Sequence, residues 1–298
     1  MAMDTTALRL SSAEATDTGK KAQNNEDAVI RLPDRGVFGV ADGMGGGACG
    51  QEASQMVVKS LAARMSGAGK PPGLDEAVHL GIRALNEASY RIRDLADERG
   101  LSSIGSTAVV LILDMTTPGR AAVLHAGDSR AYRLRNGKLD RITTDHSIAS
   151  AVGISDDDAL PPMLRGVITN AVGIKATVQV DTTAVDVLQN DLFLLCSDGL
   201  TRGMRDKALR DILARNPWGN LDDAARALID AANAAGGEDN ISVVLVRVDT
   251  CPAPQSDEPQ DGEEPLTDMT STVALSGSTE PAPTASDSSA PGPADKPG

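Results

Sequence analysis

Four short acidic stretches lie far apart in this chain: Asn25-Glu26-Asp27, Ala41-Asp42-Gly43-Met44-Gly45-Gly46, Cys196-Ser197-Asp198-Gly199 and Gly237-Glu238-Asp239-Asn240. Gathered in one place, their carboxylates would repel one another and resist ionisation, so such a cluster calls for cations. An all-oxygen set suits Mg²⁺ or Mn²⁺, and a glycine beside an aspartate lets its own carbonyl approach the ion. One Asp-Gly pair alone reads as a plain turn. Two of them, each following an apolar run and joined by two further acidic groups, favour a shared metal site.

The elements that must hold these groups follow from local pattern. The runs 36–41 and 191–196 are short and apolar, as strands buried on both faces are, and each leads into an Asp-Gly pair. Strands are predicted over 28–32, 37–41, 106–113, 121–125, 131–134, 177–185, 191–196 and 241–248, and helices over 50–65, 74–99, 206–214 and 221–234. In the second helix Val78, Ile82, Leu85, Ile92 and Leu95 recur at mostly helical spacing. Asn136-Gly137 marks a tight hairpin. Many strands with helices in pairs suit sheets packed face to face with helices outside.

Taken in order, Asn25-Glu26-Asp27, the Asp42 loop, Gly105-Ser106-Thr107, Gly127-Asp128-Ser129-Arg130, Thr144-Asp145-His146-Ser147, Ser197-Asp198-Gly199-Leu200 and Asp239-Asn240-Ile241-Ser242 carry a likeness. They resemble the metal-dependent serine/threonine phosphatases of the PP2C type (PPM family) in their compact bacterial form, over roughly residues 7 to 250. The resemblance implies an α+β fold, a four-layer α/β/β/α sandwich of two central antiparallel sheets flanked by helix pairs. It implies two Mn²⁺ or Mg²⁺ ions bridged by Asp42, with the Gly43 carbonyl, Asp198 and Asp239 completing their shells. Glu26 and Asp27 would act through waters or as weaker ligands, and Asp128 with Asp198 would hold a third, looser ion. No side chain is expected as nucleophile, since a metal-activated water would attack phosphorus. Asn240 is expected to orient Asp239 or its own turn. Thr144-Asp145-His146-Ser147 is expected as a structural turn into a helix, capped by Thr144 or Asp145. Without the resemblance, Gly127-Asp128-Ser129-Arg130 reads as a turn with an Asp to Arg pair.

Departures from the family pattern bear on the phosphate. Many relatives carry an arginine where this chain has Ala22; Lys20, on the same face if the segment is extended, would replace it as a point charge. Gly47 and Met44 stand where histidines occur in bacterial and eukaryotic relatives respectively. The stretch between Asp145 and Thr177, with Asp156-Asp157-Asp158 and Pro161-Pro162, corresponds to a variable flap from which Arg165 and Asn170 could meet substrate. The implied partners are phosphorylated proteins, with a bacterial Ser/Thr kinase and its substrates in a signalling system. Two rival readings are a regulatory phosphoprotein-binding module and a hydrolase of small phosphate esters.

Composition is compatible with that reading. The acidic segments span the first 240 residues of 298, which argues for one catalytic unit, residues 1–250. Aromatics are only 2% against 41% hydrophobic residues, so the core must be built from Val, Leu, Ile and Ala. A net charge of −14 argues against phosphate-backbone binding of nucleic acid, which needs clustered Lys and Arg. Residues 251–298 hold nine acids and one base, hence −8, and nine of the 16 prolines. This Pro/Ser/acid-rich tail is expected to be disordered, with Thr270, Ser271, Thr272 and Thr279 open to a kinase or the whole segment simply solubilising. Cys49, Cys196 and Cys251 make no Cys-x-x-Cys pair, and with three histidines a structural zinc site is not expected. No apolar run reaches the roughly 18 residues of a membrane span. A cytoplasmic, unanchored monomer is the expectation.

Overall fold

The computed structural model describes residues 7–67, 69–101, 104–154, 159–215 and 219–252. Eleven strands occur among them: β1 (Arg9–Asp17), β2 (Asp27–Leu32), β3 (Val37–Met44), β4 (Gly105–Ser106), β5 (Ala108–Leu113), β6 (Arg120–Ala126), β7 (Arg130–Arg135), β8 (Lys138–Arg141), β9 (Asp181–Asp186), β10 (Leu192–Cys196) and β11 (Ile241–Thr250). The helices are α1 (Ala48–Met65), α2 (Leu74–Arg99), α3 (Ile148–Ala151), α4 (Asp198–Arg202), α5 (Asp206–Leu213) and α6 (Leu221–Ala234). One sheet runs β1-β11-β10-β7-β8 and the other β2-β3-β5-β6-β9, with β4 beside β3. Every pairing between these strands is antiparallel.

The period-two alternation of side chains explains the layers. In β10, Phe193 and Leu195 face one cluster while Leu192, Leu194 and Cys196 face another. In β3, Phe38 and Val40 join Phe193 and Leu195, whereas Val37 and Ala41 turn towards α1 and α2. Three apolar cores result: one between the sheets, one under α1 and α2, and one under α5 and α6. Phe38 and Phe193 are essentially inaccessible, each burial being worth about 1.5–3 kcal/mol. The expected α/β/β/α sandwich is therefore present, with its core built almost wholly from aliphatic side chains.

Some local expectations need correction. β1 was not expected; its sequence Arg-Leu-Ser-Ser-Ala-Glu-Ala-Thr-Asp is weakly apolar, and its pairing with β11 makes it a strand. The strand placed at 177–185 is the shorter, mostly exposed β9 at the sheet edge. The hairpin turn at Asn136-Gly137 is as read, both residues having positive φ. Asp156-Asp157-Asp158 lies outside the described residues, as does the chain from 253 onward; the described residues fall within the unit Met1–Gln255.

Candidate metal centre

Strand register places the acidic groups. Asp27 opens β2 and sits opposite Asp42 in β3. Asp198 begins α4 two residues after β10 ends, and Asp239 lies two residues before β11 begins. Hydrogen bonds across the sheets join the two pairs. The Ser197 hydroxyl donates to Asp27 Oδ2 at 2.8 Å while accepting from Ser242 N at 2.9 Å. Glu26 N donates to Asn240 Oδ1 at 2.7 Å, and Asn240 Nδ2 donates to the carbonyls of Thr18 and Asn24. Asn240 N also donates to Asp239 Oδ1 at 2.8 Å. Asn240 therefore orients Asp239 through its backbone and fastens the Glu26 loop through its side chain, a wider role than its own turn.

Glycines let backbones close around the site. A Cβ on Gly43 would lie 2.0 Å from Gly50 O, one on Gly50 would lie 1.7 Å from Glu26 Oε2, and one on Gly199 would lie 2.0 Å from Asn240 O. Glu26 is partly committed, because its Oε1 accepts from Gly47 N at 2.7 Å and so holds the glycine loop. Thr107 grips Asp42 on both sides: its N–H donates to Asp42 O and its Oγ1 accepts from Asp42 N.

The electrostatics are those of a site built for positive charge. Burial first, and then the charges of Asp27, Asp198, Asp128 and Asp239, push the Asp42 carboxyl well above its usual range. Burial raises Asp27 to about 7 against lowering hydrogen bonds from Ser242 and Ser197, and burial with Asp198 raises Asp128 to about 8. Asp27 Oδ1 and Asp198 Oδ1 are buried without a hydrogen-bond partner. Orphaned buried carboxylate oxygens are costly unless something positive meets them. These donors fit hard divalent cations. Among the described residues, the one trio of His, Cys, Asp or Glu ligand atoms within 4.8 Å of one another is His125, His146 and Asp181. The aspartates are thus spread more widely than a single dry site requires, as suits ions that keep several waters.

Comparison with known proteins decides what this arrangement belongs to. The model of the family described as protein phosphatase 2C matches residues 17–245. The serine/threonine phosphatase stp of Listeria welshimeri is 34% identical over 239 residues, covering 78% of this chain and 93% of its own. The chain belongs to the protein phosphatase 2C family. Among solved structures, PppA of Pseudomonas aeruginosa superimposes with a TM-score of 0.72 at 35% identity, over 81% of this chain and 99% of that one. The catalytic domain of the serine/threonine protein phosphatase PstP, in complex with two manganese ions, gives 0.69 at 30% identity, over 81% and 99%.

Other expected residues of this protein phosphatase 2C chain sit differently. Asp128 is buried, and Arg130 pairs with Asp145 at 2.7 Å, which removes the simple Asp128 to Arg130 turn. The helix after His146 is capped by Ser147, whose hydroxyl accepts from Ser150 N, and not by Thr144 or Asp145. Asp145 is occupied by Arg130 and Arg141. Lys20 lies in a turn, not an extended segment: Gly19 has φ +78°, its N–H donates to Asp17 Oδ1, and Lys20 N donates to Gly237 O. The same-face argument that let Lys20 replace a guanidinium at 22 therefore fails.

In the flap, Arg165 Nε donates to Leu160 O, and Asn170 Nδ2 donates to both His146 Nδ1 and Gln179 O. Asn170 Nδ2 is thus committed to tying this stretch to His146 and Gln179. Gly127 N also donates to His146 Nδ1. With two donors on Nδ1, neutral His146 carries its proton on Nε2 and gives it to Asp181 at 3.0 Å. In that tautomer His146 and Asp181 form a hydrogen-bonded tie, with the His125 ring packed against His146 at 4.5 Å between centroids, and His146 keeps the structural role expected of it. Burial and then His146 lower His125 to about 4, keeping it neutral.

Sequence reading missed Arg202 and Ser197. Arg202 Nη2 lies 2.5 Å from Asp198 Oδ2 and Nη1 lies 3.2 Å from Asp239 Oδ2. Its signal was available as the i to i+4 spacing from Asp198, once a helix is allowed to begin at that aspartate.

Proposed function

We propose that this protein hydrolyses phosphoserine and phosphothreonine in other proteins at a binuclear Mn²⁺ or Mg²⁺ centre, opposing a Ser/Thr kinase in a bacterial cytoplasm. The observation that carries the reading is the convergence of Asp27, Asp42, Asp128, Asp198 and Asp239, with orphaned carboxylate oxygens, in a protein phosphatase 2C chain. The manganese ions of the similar PstP domain support the choice of metal. Among the described residues no helix is long and apolar enough to cross a membrane.

In this reading Asp42, the Gly43 carbonyl, Asp198 and Asp239 would hold the two ions, with Glu26 and Asp27 acting through waters or as weaker ligands. Asp128 with Asp198 would hold a third ion. Catalysis belongs to residues 1–250, and the protein acts as a monomer. When bound, the ions would acidify a water and neutralise charge on the phosphoryl oxygens. The chain supplies position: Thr107 fixes the Asp42 backbone, Ser197 fixes Asp27, and Asn240 fixes Asp239 and the Glu26 loop.

Metal removal tests this. Turnover of a phosphothreonine peptide is expected with Mn²⁺, to vanish in EDTA and to return with excess Mn²⁺. Equal or faster turnover of small phosphate esters than of peptides would favour the metabolite reading. No turnover with Mn²⁺ demonstrably bound would favour a regulatory module.

A further inference from the structure

Arg202 ends α4 one helical turn after Asp198, which brings its guanidinium back over that carboxylate. Nε and Nη2 donate to Asp198 Oδ2 at 2.8 and 2.5 Å, and Nη1 pairs with Asp239 Oδ2 at 3.2 Å. Among the described residues it is the one cation paired with any of the five clustered aspartates. The charges of Asp198, Asp239 and Asp128 all act on it.

Three features favour exchange of this contact. Asp239 Oδ1 is taken by Asn240 N, so Oδ2 is the oxygen left for an incoming ion, and Arg202 holds it. Asp198 keeps Oδ1 unpartnered, so that residue can bind an ion while still holding the arginine. The arginine side chain is 48% exposed, which leaves it room to turn outward. A dianionic phosphate entering beside five aspartates needs positive charge beyond the ions, and a guanidinium can grip two of its oxygens at once. Position 22 holds alanine and Lys20 is set in a turn against Gly237, so neither provides that fork.

We infer that Arg202 is a tethered counter-ion of the metal centre: it holds Asp198 and Asp239 together when ions are absent, yields Asp239 Oδ2 when they enter, and then presents its guanidinium to the substrate phosphate. This deepens the phosphatase reading and rests on it.

The test uses the full chain with Arg202→Gln and Arg202→Lys, with folding checked by circular dichroism. Calorimetric titration with Mn²⁺ is expected to show Arg202→Gln binding several-fold to about tenfold more tightly than the native protein, a modest gain because solvent screens the half-exposed pair. With Mn²⁺ saturating, its inhibition constant for inorganic phosphate and its KM for a phosphothreonine peptide are expected to rise about ten- to a hundredfold. kcat should fall less, and Arg202→Lys should recover part of the loss. Unchanged or weaker Mn²⁺ binding overturns the inference, as does an unchanged phosphate constant. Binding of Mn²⁺ and phosphate is read without turnover. A native protein that binds both yet hydrolyses nothing would therefore sink the phosphatase reading while leaving the role of Arg202 to be judged on the binding data.

Discussion

Asp42→Asn should lower phosphopeptide turnover by about a thousandfold or more while leaving the fold intact. Loss of an outer-shell partner typically costs about ten- to a hundredfold in metal affinity or activity. A ligand shared by two ions should cost more than that for each. Asparagine keeps the shape of the side chain, and the bonds between Thr107 and Asp42 that run through backbone atoms survive. The substitution also removes one charge from a set of mutually repelling, buried carboxylates. The metal-free variant should therefore melt no lower than the native protein and could melt higher. Parallel kinetic and melting measurements decide it: full turnover would sink the role given to Asp42, and loss of activity through unfolding would leave the effect a structural one.

The second large effect is on stability against pH. Asp27 and Asp128 have folded values of about 7 and about 8, against an unfolded value of 3.8, and Asp42 and Asp198 are raised as well. A carboxyl whose folded value is raised keeps its proton in the folded protein over a range where the unfolded chain has lost it. Metal-free stability must then fall as pH rises from about 4 to about 8. His125 works the other way between about 4 and 6.5, since burial lowers its folded value and charging it at low pH opposes folding. The net fall should therefore be clearest from pH 6.5 to 8. Saturating Mn²⁺ should reverse the trend, because ligating carboxylates must be deprotonated and metal binding strengthens as protons leave. Melting temperatures in EDTA and in Mn²⁺ across that interval would check it. A flat or rising curve in EDTA would show that the carboxylates do not interact as described.

Which parts of this protein could be read from sequence follows from how far each depends on distant contacts. β3, β5, β10 and β11 are apolar on both faces, and a strand buried between another sheet and a helix layer can be built from little else. The aspartates at their ends were legible for the same reason, since turn residues interrupt otherwise unbroken apolar runs. β1 and β9 are partly or mostly exposed, and their partners β11 and β6 define them more than their own composition does. α4 is five residues long and carries a glycine at its second position, too little for any periodicity to show. That concealed helix is why Arg202 went unread. Lys20 was misplaced although Asp17-Thr18-Gly19 already carried a turn signal, an aspartate two residues before a glycine whose N–H it accepts. The ties of Asn170 to His146 and Gln179, nine residues and more away in sequence, appear only in the folded chain.

The most direct test is to locate the ions by anomalous diffraction from crystals grown with Mn²⁺. The account predicts two strong peaks within coordination distance of Asp42, flanked by Asp198 and Asp239, with any third, weaker peak between Asp128 and Asp198. Peaks only at His125, His146 and Asp181, or none near Asp42 in a protein that still hydrolyses phosphopeptides, would contradict it.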